Sequence, residues 1–227
     1  MYNLLRSRAS GKQHEKILSA LFDSGLFSEQ WYIQNNPDVK TSESSAIEHY
    51  YFNGSKEGRS PNYLFDPSWY LDNNSDVKKS GLEPLSHYVL FGDLEGRQPS
   101  IYFSPTYYRK QLSLNNDNLA LTHFLSNVTS SDKKPIPEFD TEYYVKSNND
   151  VASTKGDPYR HFLERGSWEN RNPNSDFDMA WYKKKYLAKS LQKNAFTHYL
   201  LEGKATNIPI NVSFELKQKL RLALSTV

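Results

Sequence analysis

Cysteine is absent from this chain of 227 residues, and methionine occurs only twice. The lack of cysteine excludes a disulfide scaffold, a thiolate zinc site, an iron–sulfur cluster and a cysteine nucleophile. No apolar run approaches the ~18 to 20 residues of a membrane-spanning helix, and none follows the first charged residues as in a secretory signal peptide. We therefore expect a cytoplasmic chain without a transmembrane segment.

The chain also lacks an excess of one charge, because it contains 28 basic and 26 acidic residues and has a net charge of +2. Nucleic-acid-binding domains usually show a pI above ~9 with a basic stripe, so we expect no nucleic-acid partner. The chain contains no GxGxxG, GxxxxGK, HExxH or GxSxG motif. Neither a phosphate-binding loop nor a common hydrolase nucleophile can be placed, and we expect a protein that is not an enzyme and has no cofactor.

Aromatic residues are abundant, with 16 Tyr, 12 Phe and 4 Trp, and they recur at a regular step. Five histidines stand 36 to 38 residues apart, at His49, His87, His123, His161 and His198. Five phenylalanines keep the same step, at Phe27, Phe65, Phe103, Phe139 and Phe177. Such a period is the signature of a repeat architecture. It defines five tandem repeats, 27–64, 65–102, 103–138, 139–176 and 177–211.

Each repeat predicts two short helices. Residues that favour helix N-caps follow each phenylalanine, at Ser28, Asp66, Ser104, Asp140 and Asp178. A second set lies four residues before a histidine, at Ser45, Glu83, Asp157 and Asn194. Glycines five residues after a histidine predict left-handed residues that end the second helix, at Gly54, Gly92, Gly166 and Gly203.

Two helices in about 38 residues cannot bury an apolar face alone, so neighbouring repeats must stack. The sequence therefore predicts an all-α, α-solenoid-like array of five helix-turn-helix units with capping helices. Residues 1–26 are predicted to form the N-terminal capping helix. Residues 212–227 predict a C-terminal helix that is either a cap or a partner-seeking helix, with one apolar face formed by Leu216, Leu220, Leu224 and Val227.

The repeated histidines are interpreted as structural residues, each hydrogen-bonded to a neighbouring turn. Stacked units would place them in a ladder and not in a tetrahedral cluster around one metal ion. A second pair of positions is kept or lost together, as Asp38 with Arg59, Asp76 with Arg97, and Asp150 with Arg171. We predict a structural contact between these carboxylates and guanidiniums. The alternative is a row of arginines that binds acidic ligands.

An aromatic pair begins four residues after each phenylalanine. Flat rings with polar tips stack on sugars at binding sites, although such residues are more often core. In a solenoid only one of each pair need face inward, which leaves a partly exposed row. The candidate ligand-facing residues are Trp31 and Tyr32, Trp69 and Tyr70, Tyr107 and Tyr108, Tyr143 and Tyr144, and Trp181 and Tyr182.

Charge is uneven near the C-terminus. The segment from Lys183 to Arg221 contains nine Lys or Arg but only two acidic residues, Glu202 and Glu215. Such a region is suited to peripheral contact with an anionic inner membrane, to an acidic glycan or to an acidic partner. A solvated basic face is the alternative.

The segments LFDPSWYLDNNSDV and EPLSHYVLFGDLEGRQP, within residues 64–99, carry a family resemblance. They resemble the FD-x-x-YYL-x-x-NPDV and PL-x-HYL-x-x-G-x-x-EGR-x-P tandem repeats attached to many bacterial surface-polysaccharide glycosyltransferases. The resemblance runs from about Gly25 to Asn211 and is weakest in the third and fifth repeats. In that family the repeats are non-catalytic neighbours of transferase domains, which implies a place in capsule, O-antigen or exopolysaccharide assembly.

We therefore expect a non-catalytic module for carbohydrate binding or protein–protein interaction, with a polysaccharide or a glycosyltransferase as its partner. The alternative is a structural spacer or oligomerisation domain without a ligand. An accessory part of a glycosyltransferase is a third hypothesis. It rests on a DxD motif at Asp176 and Asp178, but Asp178 already serves as an N-cap, and five repeats leave no room for a nucleotide-binding fold.

Overall fold

A computed structural model describes residues 11–115, 117–129, 133–190 and 192–225. Across these ranges the regular elements are all helical and no β-strand forms. The predicted all-α class is confirmed. None of the helices in the described ranges is both long enough and apolar enough to span a membrane.

The chain divides into two compact units, Met1–Asn127 and Val128–Val227, with the boundary inside the third repeat. The helices described in the first unit are α1 (Gly11–Asp23), α2 (Glu29–Asn35), α3 (Ala46–His49), α4 (Pro67–Asn73), α5 (Ser75–Ser80), α6 (Pro84–His87), α7 (Pro105–Leu112) and α8 (Ala120–Leu125). Those of the second are α9 (Thr141–Ser147), α10 (Asn149–Ser153), α11 (Pro158–His161), α12 (Met179–Tyr186), α13 (Ala195–His198) and α14 (Val212–Ser225). A 3₁₀ helix, Pro37–Thr41, precedes α3.

The predicted N-caps are confirmed. Each residue that follows a repeat phenylalanine accepts a hydrogen bond from the backbone N–H three positions on, as Asp66 does from Trp69 at 2.9 Å. The four predicted caps of the second helices also accept backbone N–H groups, and Ser45 forms a full capping box with Glu48. These bonds satisfy donors that a helix start leaves open.

The second helix continues into a π-helical turn in four repeats, at Tyr50–Gly54, Tyr88–Gly92, Phe162–Gly166 and Tyr199–Gly203. The prediction that the final glycine is left-handed is wrong, since none of these four has a positive φ. The glycine is needed for space. A Cβ added to Gly54 would lie 2.0 Å from the hydroxyl oxygen of Tyr32. A Cβ added to any of the other three glycines would lie within 2.5 Å of the equivalent tyrosine hydroxyl.

The left-handed residue comes four positions later, nine after the histidine. It is Gly58 (φ 73°), Gly96 (φ 73°), Asn170 (φ 60°) or Asn207 (φ 52°). Glycine and asparagine are the residues that adopt this conformation most readily. The presence of either Gly or Asn nine residues after the histidine was a sequence signal for this turn.

The third repeat tests the link between glycine and π turn. Val128 stands where the other repeats have glycine, and α8 ends at Leu125 without a π turn after it. Ordinary turns follow over residues 126–129. The π turn and the glycine are therefore lost together.

The core of each repeat is a cluster of three aromatic rings. The repeat phenylalanine lies 5.3 to 5.5 Å from the second residue of the aromatic pair, between ring centroids. That tyrosine meets the ring after the histidine edge to face at 5.3 to 6.1 Å. Offset and edge-to-face pairs stabilise beyond the area that they bury, by about 0.5 to 1.5 kcal/mol each.

Two asparagines join the start of one repeat to the start of the next, and a third joins the start of the fifth repeat to the start of α14. The side-chain amides of Asn62, Asn174 and Asn211 donate to the carbonyls of Leu26, Glu138 and Asp176 at 2.7, 2.7 and 2.5 Å. Their side-chain oxygens accept from backbone N–H groups two to three residues ahead. Each side-chain amide thus donates through its nitrogen and accepts through its oxygen, and so fixes the conformation of the segment that it bridges.

Helix α1 contacts α3 and α6, the second helices of the first two repeats. Just after it, the carbonyl of Ser24 accepts from the Thr122 hydroxyl of the third repeat at 2.6 Å, and Leu26 is fully buried. The N-terminal segment therefore contacts three repeats, whereas a cap would contact the first repeat alone. Residues 1–10 of the predicted capping helix 1–26 lie outside the described residues.

Of the two alternatives for the C-terminal helix, a cap or a partner-seeking helix, the exposure of α14 disfavours the cap. A cap buries its apolar face on the last repeat, but Leu216, Leu220 and Leu224 are 56%, 63% and 78% exposed. Val227, predicted on the same face, lies outside the described residues.

An N-cap supplied by the neighbouring repeat holds the second helix of the third repeat. Leu119 at the cap position offers no side-chain oxygen. Instead the carboxylate of Asp93 accepts from the backbone N–H of Ala120 at 2.9 Å and of Leu121 at 3.3 Å. Asp93 is fully buried, and it also pairs with the guanidinium of Arg109. The first and fourth repeats have serine at the position of Asp93.

We predict that Gly54→Ala lowers the free energy of unfolding by about 1 to 3 kcal/mol, because the new methyl group overlaps the Tyr32 hydroxyl. The cost should fall by at least half in a Tyr32→Phe background. Urea unfolding of the double-mutant cycle measures this. Gly156→Ala is the matched control, since its Cβ meets nothing closer than 3.7 Å; an equal cost at both glycines would contradict the close-approach argument.

Asp93→Ser should lower the free energy of unfolding by about 3 kcal/mol or more, because it leaves the mostly buried Arg109 without its carboxylate and α8 without its N-cap. Adding Leu119→Asp to that variant supplies a local cap and should recover about 1 kcal/mol. Chemical unfolding of the single and double variants checks this. The inference of a cap from the neighbouring repeat fails if Leu119→Asp gives no recovery.

Candidate functional site

One hydrogen bond joins the two helices of every repeat. The hydroxyl of the buried tyrosine lies 2.9 to 3.0 Å from Nδ1 of the repeat histidine, in the pairs Tyr32–His49, Tyr70–His87, Tyr108–His123, Tyr144–His161 and Tyr182–His198. The predicted structural role of the histidines fits these contacts. The partner at Nδ1 is a tyrosine of the first helix, which the sequence did not predict.

Burial shifts the titration of these groups. Desolvation raises the pKa of Tyr32 to about 12, and burial lowers the pKa of His87. Both shifts favour the neutral forms. These two groups, the tyrosine of the first repeat and the histidine of the second, are therefore biased towards their neutral forms by burial.

The predicted Asp–Arg contacts are present in the three repeats that carry both residues. The guanidinium nitrogen Nη1 lies 2.7 Å from a carboxylate oxygen in Arg59–Asp38, 2.8 Å in Arg97–Asp76 and 2.7 Å in Arg171–Asp150. Each arginine also donates through Nε to the glutamate two residues before it and through Nη1 to an asparagine side chain. The three guanidiniums are engaged within their own repeats, which argues against an arginine row for acidic ligands.

Arginine holds the pKa of these aspartates below the usual range. The hydrogen bond from Arg97 lowers the pKa of Asp76 to about 2, and that from Arg171 does the same for Asp150. The pKa of Asp38 is lowered by Arg59. The third repeat, with Lys133 at the arginine position, uses the Lys133 carbonyl to accept from Thr141 at 3.0 Å.

Half of the candidate ligand-facing aromatics lie in the core. The second residue of each pair is 0% exposed, so the expectation that these rings face a ligand is wrong for Tyr32, Tyr70, Tyr108, Tyr144 and Tyr182. Their hydroxyls bond the histidines and their rings pack on the repeat phenylalanines. The same side chain cannot also reach a ligand at the surface.

The first residue of each pair is partly exposed, which leaves Trp31, Trp69, Tyr107, Tyr143 and Trp181 as candidates. Their surroundings differ. In the first two repeats an asparagine four residues on donates to the tryptophan carbonyl at 2.8 Å, which places an amide beside each of these tryptophans. In the fifth repeat Lys185 lies over the Trp181 ring at 4.9 Å. Trp181 therefore has a cation against its ring, and we take Trp31 and Trp69 as the leading candidates.

A polar cleft lies beside Trp69, with a volume of about 430 Å³. Its walls come from α4, from the left-handed turn at Gly96 and from the start of α7. The groups that line it are Trp69, Asn73, Asn74, Gln98, Ser104 and Thr106. The groups that line this cleft are mainly polar, and the Trp69 side chain forms one part of its wall.

A second cavity, of about 480 Å³, lies between α1 and the first two repeats. His14 meets the rings of Tyr51 and Phe52 edge to face at 5.9 and 5.3 Å, and these three side chains form one wall. Lys56 and Lys78 lie at its rim with Glu83, whose carboxylate caps α6.

The described residues contain no cluster of three or more His, Asp or Glu suited to a metal ion. In the DxD motif, the side chain of Asp178 accepts from the Trp181 N–H at 2.9 Å as the N-cap of α12. The carboxylate is thus used within the fold.

Comparison with known proteins gives no match to a family model, to a curated protein or to a solved structure. The candidate site is therefore defined by the geometry of this chain.

We predict that the Arg97–Asp76 pair contributes stability that depends on pH. The folded pKa of Asp76 lies below its unfolded value, so the contribution is full above about pH 4 and disappears as the pH falls through about 2. Urea unfolding between pH 6 and 2 should show the wild type losing more stability than Asp76→Asn, by less than about 1 kcal/mol because the aspartate is exposed.

The matched control is Asp72→Asn, which removes a pair with Lys78 whose side chains are 61% and 67% exposed. It should change the pH dependence less than Asp76→Asn does. Equal pH profiles for the wild type and Asp76→Asn would contradict the assignment.

Proposed function

We propose that this chain is a non-catalytic module that binds a bacterial surface polysaccharide through the exposed tryptophans of its repeats. The observation that carries the proposal is the cleft at Trp69, where a partly exposed indole lies among amide and hydroxyl side chains. A cleft of about 430 Å³ suits one or two sugar units. The resemblance of the repeats to those of polysaccharide glycosyltransferases points to the same class of ligand.

The binding surface follows from the division of labour within each aromatic pair. The tyrosine ring packs in the core and its hydroxyl bonds the histidine, so the preceding residue is the ring that remains at the surface. Stacking of the five repeats in an α-solenoid-like array would repeat this ring along a glycan. In the proposal, the protein works in the cytoplasm, where it holds a nascent chain for a glycosyltransferase.

A structural spacer is the second candidate, and one observation favours it. The recurring polar groups of the repeats, the Asp–Arg pairs and the Tyr–His hydrogen bonds, form contacts inside their own repeats. A spacer needs these contacts and no ligand. The two candidates differ in whether the surface tryptophans contact sugar.

A saturation-transfer NMR titration decides between them, with oligosaccharides cut from the source organism's own surface polysaccharide. We expect transfer from protein to sugar that persists at high salt, because stacking on tryptophan does not depend on ion pairing. Trp69→Ala should weaken binding about tenfold, with Trp31→Ala as the companion variant.

Trp168→Ala is the matched control, since Trp168 is 50% exposed but lies outside the aromatic pairs. It should leave binding unchanged. No transfer to any oligosaccharide, or equal losses in Trp69→Ala and Trp168→Ala, would reject glycan binding at this cleft and favour the spacer.

A further inference from the structure

Helix α14 carries an exposed apolar face that the fold does not use. Val212, Leu216, Leu220 and Leu224 are 49%, 56%, 63% and 78% exposed. Residues four apart on a helix lie about 40° apart around its axis, so these four form a stripe about 120° wide. We call them the leucine stripe.

The opposite side of α14 fixes the orientation of the stripe. Glu215 pairs with Lys185 of the fifth repeat, and the side chain of Gln218 donates to the Asn207 carbonyl at 3.2 Å. The Asn211 side chain accepts from the Phe214 N–H at 2.7 Å and caps the start of the helix. With these contacts on the far side, the leucine stripe points away from the fifth repeat. Phe214 and Leu222, which lie nearer to those contacts, are 54% and 64% exposed as well.

Basic side chains accompany the stripe. Lys217 and Arg221 follow it on the helix surface, and both are exposed. The one acidic residue of α14, Glu215, is held in ion pairs with Lys185 and Lys219. Over residues 183–221, nine Lys or Arg stand against two Glu. The helix therefore presents its leucines together with the exposed basic side chains of Lys217 and Arg221.

We propose that α14 binds an anionic lipid bilayer, lying in the interface with the leucine stripe inserted among the acyl chains. At ~1.5 Å per residue a 14-residue helix is about 21 Å long, too short to cross a ~30 Å hydrocarbon core. A leucine face with flanking Lys and Arg is the pattern of helices that lie in the membrane plane. A second copy of α14 would bring like charges together, whereas anionic headgroups neutralise them.

This interaction is independent of glycan binding, because α14 lies outside the cleft at Trp69. The test is co-sedimentation of the whole chain with vesicles of phosphatidylglycerol and phosphatidylethanolamine, and with vesicles of phosphatidylcholine alone. We expect binding to the first kind and at least tenfold weaker binding to the second.

Two variants separate the apolar and charged contributions. Leu220→Gln with Leu224→Gln should reduce binding at least tenfold without breaking the helix, since glutamine is a good helix former. Lys217→Glu with Arg221→Glu should do the same on anionic vesicles. The matched control is Leu90→Gln with Leu94→Gln, two leucines 42% and 50% exposed elsewhere, which should bind like the wild type.

The absence of cysteine allows a direct view of insertion. An environment-sensitive dye on Leu220→Cys should shift its emission to the blue with anionic vesicles, while the same dye on Leu94→Cys should not. Equal binding by the leucine variant and its control would overturn the proposal. So would equal binding to both lipid mixtures, or self-association that the leucine substitutions abolish, since the last would make the stripe a contact between copies.

Discussion

The hydrogen bond made by the tyrosine hydroxyl at the centre of each repeat is the contact on which the rest of the repeat depends. It bonds the histidine at 2.9 to 3.0 Å, and in four repeats it also presses against the backbone at a glycine. These two demands fix the distance between the helices. The fixed distance in turn sets where the Asp–Arg pairs meet and which aromatic ring is left at the surface.

Much of this was predictable from the sequence because it depends on local chemistry. The caps at Asp66 and Asp157 accept nearby N–H groups, so spacing along the chain is enough to find them. The Arg97–Asp76 contact was readable for another reason. Its two residues vary together across the repeats, and a repeat protein contains its own comparison set.

The errors arose where contacts between distant residues decide the outcome. Gly92 resembles a left-handed helix end in sequence, but the Tyr70 hydroxyl 22 residues earlier sets its role. Tyr32 and Trp31 were both candidates to face a ligand, because the sequence does not show which ring of an adjacent aromatic pair faces inward. Asp93 was not identified at all, since only the fold brings it to the N-terminus of α8. The exposure of α14 was equally hidden, because a cap and a free amphipathic helix share one pattern.

The cap that Asp93 supplies has a consequence for how the chain can change over generations. A serine at this position, as in the first repeat, needs a cap residue in the next repeat, whereas an aspartate needs a neighbour with a leucine there and an arginine to match the charge. The second and third repeats are thus a matched pair. Duplication, deletion or reordering of one without the other would leave a buried carboxylate or a helix start unmatched, so we expect such changes to keep the two repeats together.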